Sequence, residues 1–155
     1  MTASTSKKKK TRPVIGWREW ATLTDLGLPA IKAKVDTGAR SSAIHAYEIS
    51  TFERDGVHMV RFLVHPVQRN TRETVAIETP IHDEREVRSS TGHGQLRIVI
   101  RPLIKLFDES WPIDLTLTNR ELMGFRMLLG REALRGRFLI DPSKSFLAGQ
   151  PEDVI

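Results

Sequence analysis

The stretch Lys34-Val35-Asp36-Thr37-Gly38-Ala39 decides the fold, because it joins the end of a strand to an acid, a hydroxyl and a glycine. In residues 29–36 apolar side chains alternate with lysines, which predicts a half-buried strand that ends at Asp36. A carboxylate at a rigid strand end can be held in fixed geometry, and Gly38 permits close approach of backbone or ligand. An Asp-Ser/Thr-Gly triplet occurs by chance in about one chain in ten of this length, so it needs support from a second element.

That second element is Met127-Leu128-Leu129-Gly130-Arg131, a nearly continuous apolar strand that runs into a glycine. Such a strand is typical of the buried interior of a sheet. The residues that follow, Glu132-Ala133-Leu134, predict one short helix. The two elements together are far more specific than the triplet alone.

Elsewhere, short runs of alternating apolar residues are separated by turn signals, which predicts a mainly β chain. Asp55-Gly56 is a tight-turn dipeptide, and residues 43–53 and 57–65 on either side of it should form a hairpin. We predict an all-β fold, a small closed or nearly closed β-barrel with one short helix, in a single domain at residues 13–150. Further strands are expected at residues 73–78, 85–89, 95–106, 113–118, 126–129 and 137–141.

The composition excludes several classes of protein. The 155 residues, 39% of them hydrophobic and 28% charged, suit one folded soluble domain. The absence of cysteine excludes disulfides, zinc thiolate sites and a thiol nucleophile. No apolar run approaches the roughly 18 residues of a membrane span, and the apolar stretch behind the basic start is too short for a signal peptide. We therefore expect a cytoplasmic protein with no membrane contact.

The net charge of +5 is confined to the N-terminus. Five basic residues lie between Lys7 and Arg12 in a leader without acids, so residues 13–155 sum to zero. We predict a disordered arm at residues 1–12 and a short tail at residues 151–155, with contact between Lys7–Arg12 and a polyanion as the alternative function of the arm. The neutral body and the 6% aromatic content argue against a dedicated nucleic-acid-binding domain.

The two central elements resemble those of the retropepsin-like aspartic peptidases. Lys34–Ala46 and Leu128–Leu134 are most similar to the bacterial retropepsin-like family long labelled as ATP-dependent zinc proteases, and the resemblance covers roughly Val14 to Leu147. It implies that the two elements cross beneath an active site. Members often belong with an ATP-grasp ligase that adds glutamates to a ribosomal protein, which makes a glutamate-rich peptide one candidate substrate. The implied catalytic residues are Asp36, Thr37 and Gly38, and the implied supporting residues are Leu128, Leu129, Gly130 and Arg131.

Peptide hydrolysis of this kind needs two aspartates about 3 Å apart that share a proton. The ionised member activates water, and the protonated member donates to the scissile carbonyl. The chain has one Asp-Ser/Thr-Gly triplet, so activity demands a twofold dimer in which both Asp36 side chains meet and Thr37 can hydrogen-bond across the seam. The expected function is therefore a homodimeric aspartic endopeptidase. A catalytically inactive dimer that binds peptides or proteins, or a ribosome-associated accessory protein, remains the alternative.

The loop after Ala39 departs from the retroviral pattern, since Arg40-Ser41-Ser42 stands where retroviral members have acidic residues that grip the substrate. Arg40 can pair with substrate carboxylates or form an internal ion pair. We expect Ala39, Arg40 and Ser41 to contact substrate.

A flap should cover the site to exclude water. The stretch that contains Gly92 and His93 has the flexible composition of a flap and is favoured over the Asp55-Gly56 turn.

A zinc site is not indicated by the sequence. The chain has no His-Glu-x-x-His motif and no suitably paired histidines, and His82-Asp83-Glu84 is more simply a solvated charged loop. We expect neither a metal nor a cofactor.

Overall fold

The computed structural model describes residues 11–65, 74–88, 94–119, 122 and 124–149. This part of the chain is mostly β-strand, and the predicted all-β class is confirmed. Its one α-helix, α1, covers Arg131–Leu134, and a 3-10 turn covers Thr24–Leu26. The strands are β1 Val14–Ile15, β2 Arg18–Leu23, β3 Leu28–Val35, β4 Ser42–His45, β5 Tyr47–Arg54, β6 Val57–Val64, β7 Val75–Pro80, β8 Asp83–Arg88, β9 Gly94–Ile100, β10 Leu103–Leu106, β11 Glu109–Pro112, β12 Leu115–Thr118, β13 Met127–Leu129 and β14 Leu139–Ile140.

Nine of these strands form one sheet in the order β11-β10-β2-β3-β13-β4-β12-β9-β8, which curls into a half-barrel. Apolar side chains that alternate along its strands pack together in one core, because successive residues of a strand point to opposite faces. Strands β5, β6 and β7 form a separate three-stranded sheet, and β1 pairs with β14.

The feature that positions the candidate site is the crossing of β13 between β3 and β4. Strand β13 runs parallel to β3, with Leu129 opposite Val35, and antiparallel to β4, with Met127 opposite Ile44. The loop at residues 36–41 joins β3 to β4 and must therefore pass over the end of β13. Both Met127 and Leu129 are fully buried, which fixes this strand in the core.

The hairpin predicted around Asp55-Gly56 is confirmed, with Arg54 opposite Val57 across the turn. Its first arm is shorter than predicted, because residues 43–53 are divided between β4 and β5. The N–H groups of His45 and Ala46 donate to the carbonyls of Arg126 and Thr118, and these long-range bonds hold β4 in the main sheet.

Further differences concern which strands were predicted and where they end. Strand β2 was not predicted from the sequence, and it carries the fully buried Glu19. The single strand expected at residues 95–106 is divided into β9 and β10 by Arg101-Pro102, since proline cannot donate to a strand ladder.

The predicted N-terminal arm and C-terminal tail lie outside the described residues, except for Thr11 and Arg12, which are exposed. No helix in the part of the chain that the structure describes is long and apolar enough to cross a membrane.

Candidate active site

Asp36 lies at the point where β3 ends, and its position is fixed through its backbone. Its N–H donates to the carbonyl of Leu129 at 2.9 Å, and its own carbonyl accepts the N–H of Ala39 at 3.1 Å. The Asp36 carboxylate accepts the N–H of Gly38 through Oδ1 at 3.0 Å. This side chain is half-buried, so it is held in one orientation and still reaches solvent.

Close approach of backbone atoms requires glycine at Gly130, whereas the nearest atom to Gly38 belongs to a side chain. A Cβ on Gly38 would lie 3.3 Å from Asp36 Oδ1, and a Cβ on Gly130 would lie 2.5 Å from the carbonyl oxygen of Ser41. The φ of Gly130 is −85°, which any residue can adopt, so its need for glycine is steric. The loop at residues 36–41 thus rests directly on the backbone at the end of β13.

Ser42, at the start of β4, stabilises the contact between the loop and the end of β13. Its buried hydroxyl accepts the N–H of Gly130 at 3.0 Å. A buried backbone donor without a partner costs free energy, so this bond stabilises the crossing. Sequence analysis did not assign Ser42 to the site, although alternation along β4 places it on the same face as the buried Ile44.

The start of α1 binds the carbonyls of the same loop. Arg131 donates its N–H to Ala39 at 2.8 Å and its guanidinium to the carbonyls of Gly38 at 3.2 Å and Thr37 at 3.4 Å. The N–H of Glu132 donates to the carbonyl of Arg40 at 3.1 Å. The Arg131 side chain is therefore bonded to the loop through two of its carbonyls.

The other predicted site residues have different environments. Leu129 is buried beneath the loop, while Leu128 is only half-buried and lies opposite Lys34 of β3 and Ala43 of β4. Arg40 forms an ion pair within its own chain, with Glu132 Oε2 3.2 Å from its Nε, and both side chains are largely exposed. Gly92 and His93, the predicted flap residues, lie outside the described residues.

Among the residues that the structure describes, no three His, Asp or Glu side chains are grouped so that they could hold a metal ion. The side chains of His82, Asp83 and Glu84 turn to different partners, which are Asp114, Arg85 and His58 respectively. The hydrogen bond from Arg85, with help from the Glu84 N–H, lowers the pKa of Asp83 below its ordinary value. The sequence predicts a charged loop at His82-Asp83-Glu84, but Asp83 and Glu84 form the beginning of β8.

The curated relatives that the chain matches are longer proteins. It is 49% identical over 136 residues to a probable alpha-L-glutamate ligase of Parasynechococcus marenigrum, and 48% identical over 139 residues to one of Desulfotalea psychrophila. These alignments cover 88% and 90% of this chain and 29% and 30% of the relatives. The chain thus spans about a third of each relative's length.

A solved structure has the same fold. A protein of unknown function from Legionella pneumophila, 30% identical in sequence, superposes with a TM-score of 0.72 over 89% of this chain and 99% of that one. The sequence also matches the family described as "Retropepsin-like aspartic endopeptidase RimB" over residues 14–151, which include the Asp36 loop and the β13 crossing. This chain belongs to that RimB-like family of retropepsin-like proteins.

Proposed function

We propose that this chain is a homodimeric aspartic endopeptidase that hydrolyses peptide bonds with the Asp36 carboxylates of two subunits and an activated water. The observation that carries the proposal is that Asp36 is half-buried on a loop whose backbone is bonded to β13 and α1. A catalytic acid is effective when its geometry is set before the substrate arrives. Membership of a family described as aspartic endopeptidases supports the same chemistry.

In the proposed mechanism the two Asp36 side chains share one proton, because like charges at about 3 Å cannot both ionise. The ionised carboxylate takes a proton from water while the water oxygen attacks the scissile carbonyl carbon, and the protonated one donates to the carbonyl oxygen. The C–N bond then breaks as a carboxyl proton passes to the leaving nitrogen and the carbonyl forms again. Thr37 of each subunit hydrogen-bonds across the twofold axis. The N–H of Gly38 donates to Oδ1 of Asp36 and so helps to hold the carboxylate in place.

The names of the relatives support a glutamate-containing peptide as substrate. Those proteins are described as probable alpha-L-glutamate ligases, and this chain corresponds to about 30% of their length. A protease segment that acts beside an enzyme handling glutamate would meet glutamate-rich peptides. Ala39, Arg40 and Ser41 would contact such a peptide, and the segment with Gly92 and His93 would close over it.

The test is turnover of acidic and neutral peptide libraries by wild type, Asp36→Asn and Asp55→Asn between acidic and neutral pH. Asp36→Asn should lower turnover about a thousandfold or more, because the substitution deletes both the acid and the base. Asp55→Asn is the matched control, since Asp55 lies at an exposed hairpin turn and asparagine tolerates its φ of 55°. Equal turnover in all three proteins would exclude Asp36 as the catalytic acid.

Sedimentation should show a dimer at micromolar concentration, and a protein that stays monomeric with peptide present contradicts the shared dyad.

Unfolding gives an independent test. Facing carboxylates repel when ionised, so Asp36→Asn should leave the dimer at least as stable at neutral pH. A less stable mutant, without turnover by either protein, would instead favour the inactive peptide-binding dimer, in which Asp36 only caps its turn.

A further inference from the structure

A concave site lies beside the loop at residues 36–41. It is an open cavity of about 360 Å³ that begins at Ser41 and Ser42 and reaches β11 and α1. Four arginines and two carboxylates line it, and two of the arginines, Arg85 and Arg137, are also paired with carboxylates outside the lining, Asp83 and Glu109. We call this site the arginine cavity, and its charged lining residues are Arg85, Arg101, Arg135, Arg137, Asp114 and Glu132.

The two carboxylates do not neutralise the arginine cavity. Asp114 is shared by Arg101 and Arg85, and His82 Nε2 also lies 3.7 Å from it. Glu132 is paired with Arg40, which is not part of the cavity lining. Neither carboxylate contacts the arginines contributed by the chain after α1.

The two arginines after α1, Arg135 and Arg137, have the most unused hydrogen-bonding capacity in the cavity. Arg137 lies 4.7 Å from the centroid of the Trp111 ring and contacts Glu109 with a single nitrogen at 3.6 Å. Arg135 is exposed, and its side chain has no ion pair or hydrogen bond with any other residue in the described part of the chain. A guanidinium offers five N–H donors in a planar fork, which matches the oxygens of carboxylate and phosphate groups.

The lining also restricts the kind of anion. Trp111 is only 4% exposed and donates its indole N–H to the carbonyl of Ala133, so it offers no free face on which a base could stack. Aromatic stacking platforms are what nucleotide sites normally add to basic groups. The arginine cavity therefore fits a compact oxyanion group better than a nucleotide.

We propose that the arginine cavity is a binding site for oxyanions, which takes carboxylate groups of an acidic peptide or a free phosphate compound. Because Ser41 belongs both to the cavity lining and to the loop at residues 36–41, a group bound in the cavity lies beside that loop. That a peptide bound here is a substrate rests on the proposed function, whereas anion binding itself does not.

The experiment is calorimetric titration of the full-length protein with pyrophosphate and with triglutamate, and with triglutamine as the neutral control. The peptide titrations use the Asp36→Asn protein, so hydrolysis cannot consume the ligand and a failure of the proposed function leaves the result intact. We expect binding of at least one anion, no binding of triglutamine, and weaker binding at high salt. Triglutamate binding alone assigns the site to peptide carboxylates, and pyrophosphate binding alone assigns it to phosphate.

Arg135→Gln should weaken the binding of either anion at least about fivefold, since each charge-assisted hydrogen bond contributes strongly. Arg54→Gln is the matched control, because Arg54 is an exposed, ion-paired arginine on the β5–β6 hairpin. Equal affinity in wild type and Arg135→Gln, an equal loss in both variants, or no binding of either anion at millimolar concentration would overturn the proposal.

Discussion

The loop after β3 and the turn between β5 and β6 are made of similar residues, an aspartate followed within two positions by a glycine. The Asp55-Gly56 turn is a local structure. Its residues have φ values of 55° and 81°, and a Cβ on Gly56 would meet nothing within 4 Å. Both positive φ values match the twist of the flanking strands, so the turn needs no support from elsewhere.

The Asp36 loop has the opposite construction. No positive φ is found at Asp36, Thr37 or Gly38, and the loop is held by hydrogen bonds with Leu129, Arg131 and Glu132, far away in the sequence. A local turn can form early and tolerate change, while a loop fixed by a crossing strand keeps its geometry only in the complete fold. The second arrangement is the one that suits a catalytic carboxylate.

The largest expected effect is on Gly130. Gly130→Ala would place a Cβ 2.5 Å from the carbonyl oxygen of Ser41, and neither atom can turn away, because the oxygen belongs to the backbone and the Cβ is fixed by its bond to Cα. We expect a loss of about 3 kcal/mol in the free energy of unfolding, together with loss of any turnover. Urea unfolding at fixed protein concentration measures it. A loss below about 1 kcal/mol would mean that the loop does not rest on β13.

Ser42 is expected to have the next largest effect. Ser42→Ala removes the acceptor of the buried Gly130 N–H and should destabilise the protein by about 2 kcal/mol. Ser41→Ala is the matched control, because its side chain is exposed and should change stability by less than about 0.5 kcal/mol. Similar losses for the two alanines would contradict the role assigned to the buried hydroxyl.

The Asp55-Gly56 turn should respond less and for a different reason. Gly56→Ala puts a side chain at a φ of 81° with open space around it, so strain alone should cost about 1 kcal/mol. Gly56→Asn should cost less, because asparagine tolerates the left-handed region. Thermal unfolding of the two variants compares them. Equal losses would indicate that backbone conformation is not the cause.

The same contrast explains which features the sequence predicts. Strand β3 and the Asp55-Gly56 turn have local signals, alternation and a turn dipeptide, and both were predicted. Strand β2 was missed because Glu19 occupies an inward position, which breaks the apolar pattern. The Glu19 carboxylate can be buried because it accepts the N–H groups of Gly16, Leu147 and Ala148, the last two from the far end of the chain.

Long-range contacts also limited the prediction of the candidate site. The Asp-Thr-Gly and Leu-Leu-Gly-Arg elements are visible in sequence, since each is a contiguous motif. The role of Ser42 depends on which backbone N–H lies opposite its hydroxyl, and only the crossing of β13 decides that. The division of residues 43–53 at Ala46 likewise depends on carbonyls of Arg126 and Thr118.

The smallest expected effect is on the Arg40–Glu132 ion pair, a side-chain contact of the loop at residues 36–41 that lies in solvent. Its two side chains are 75% and 50% exposed, so water and salt screen the attraction. A double-mutant cycle with Arg40→Gln and Glu132→Gln should give a coupling of about 0.5 kcal/mol or less, which high salt removes. Because the fold is then barely disturbed, Arg40→Gln can be compared with wild type on acidic and neutral peptides. A higher KM for the acidic peptide alone would indicate that Arg40 leaves Glu132 to bind substrate, whereas a coupling above about 1 kcal/mol would show that the pair belongs to the rigid part of the loop.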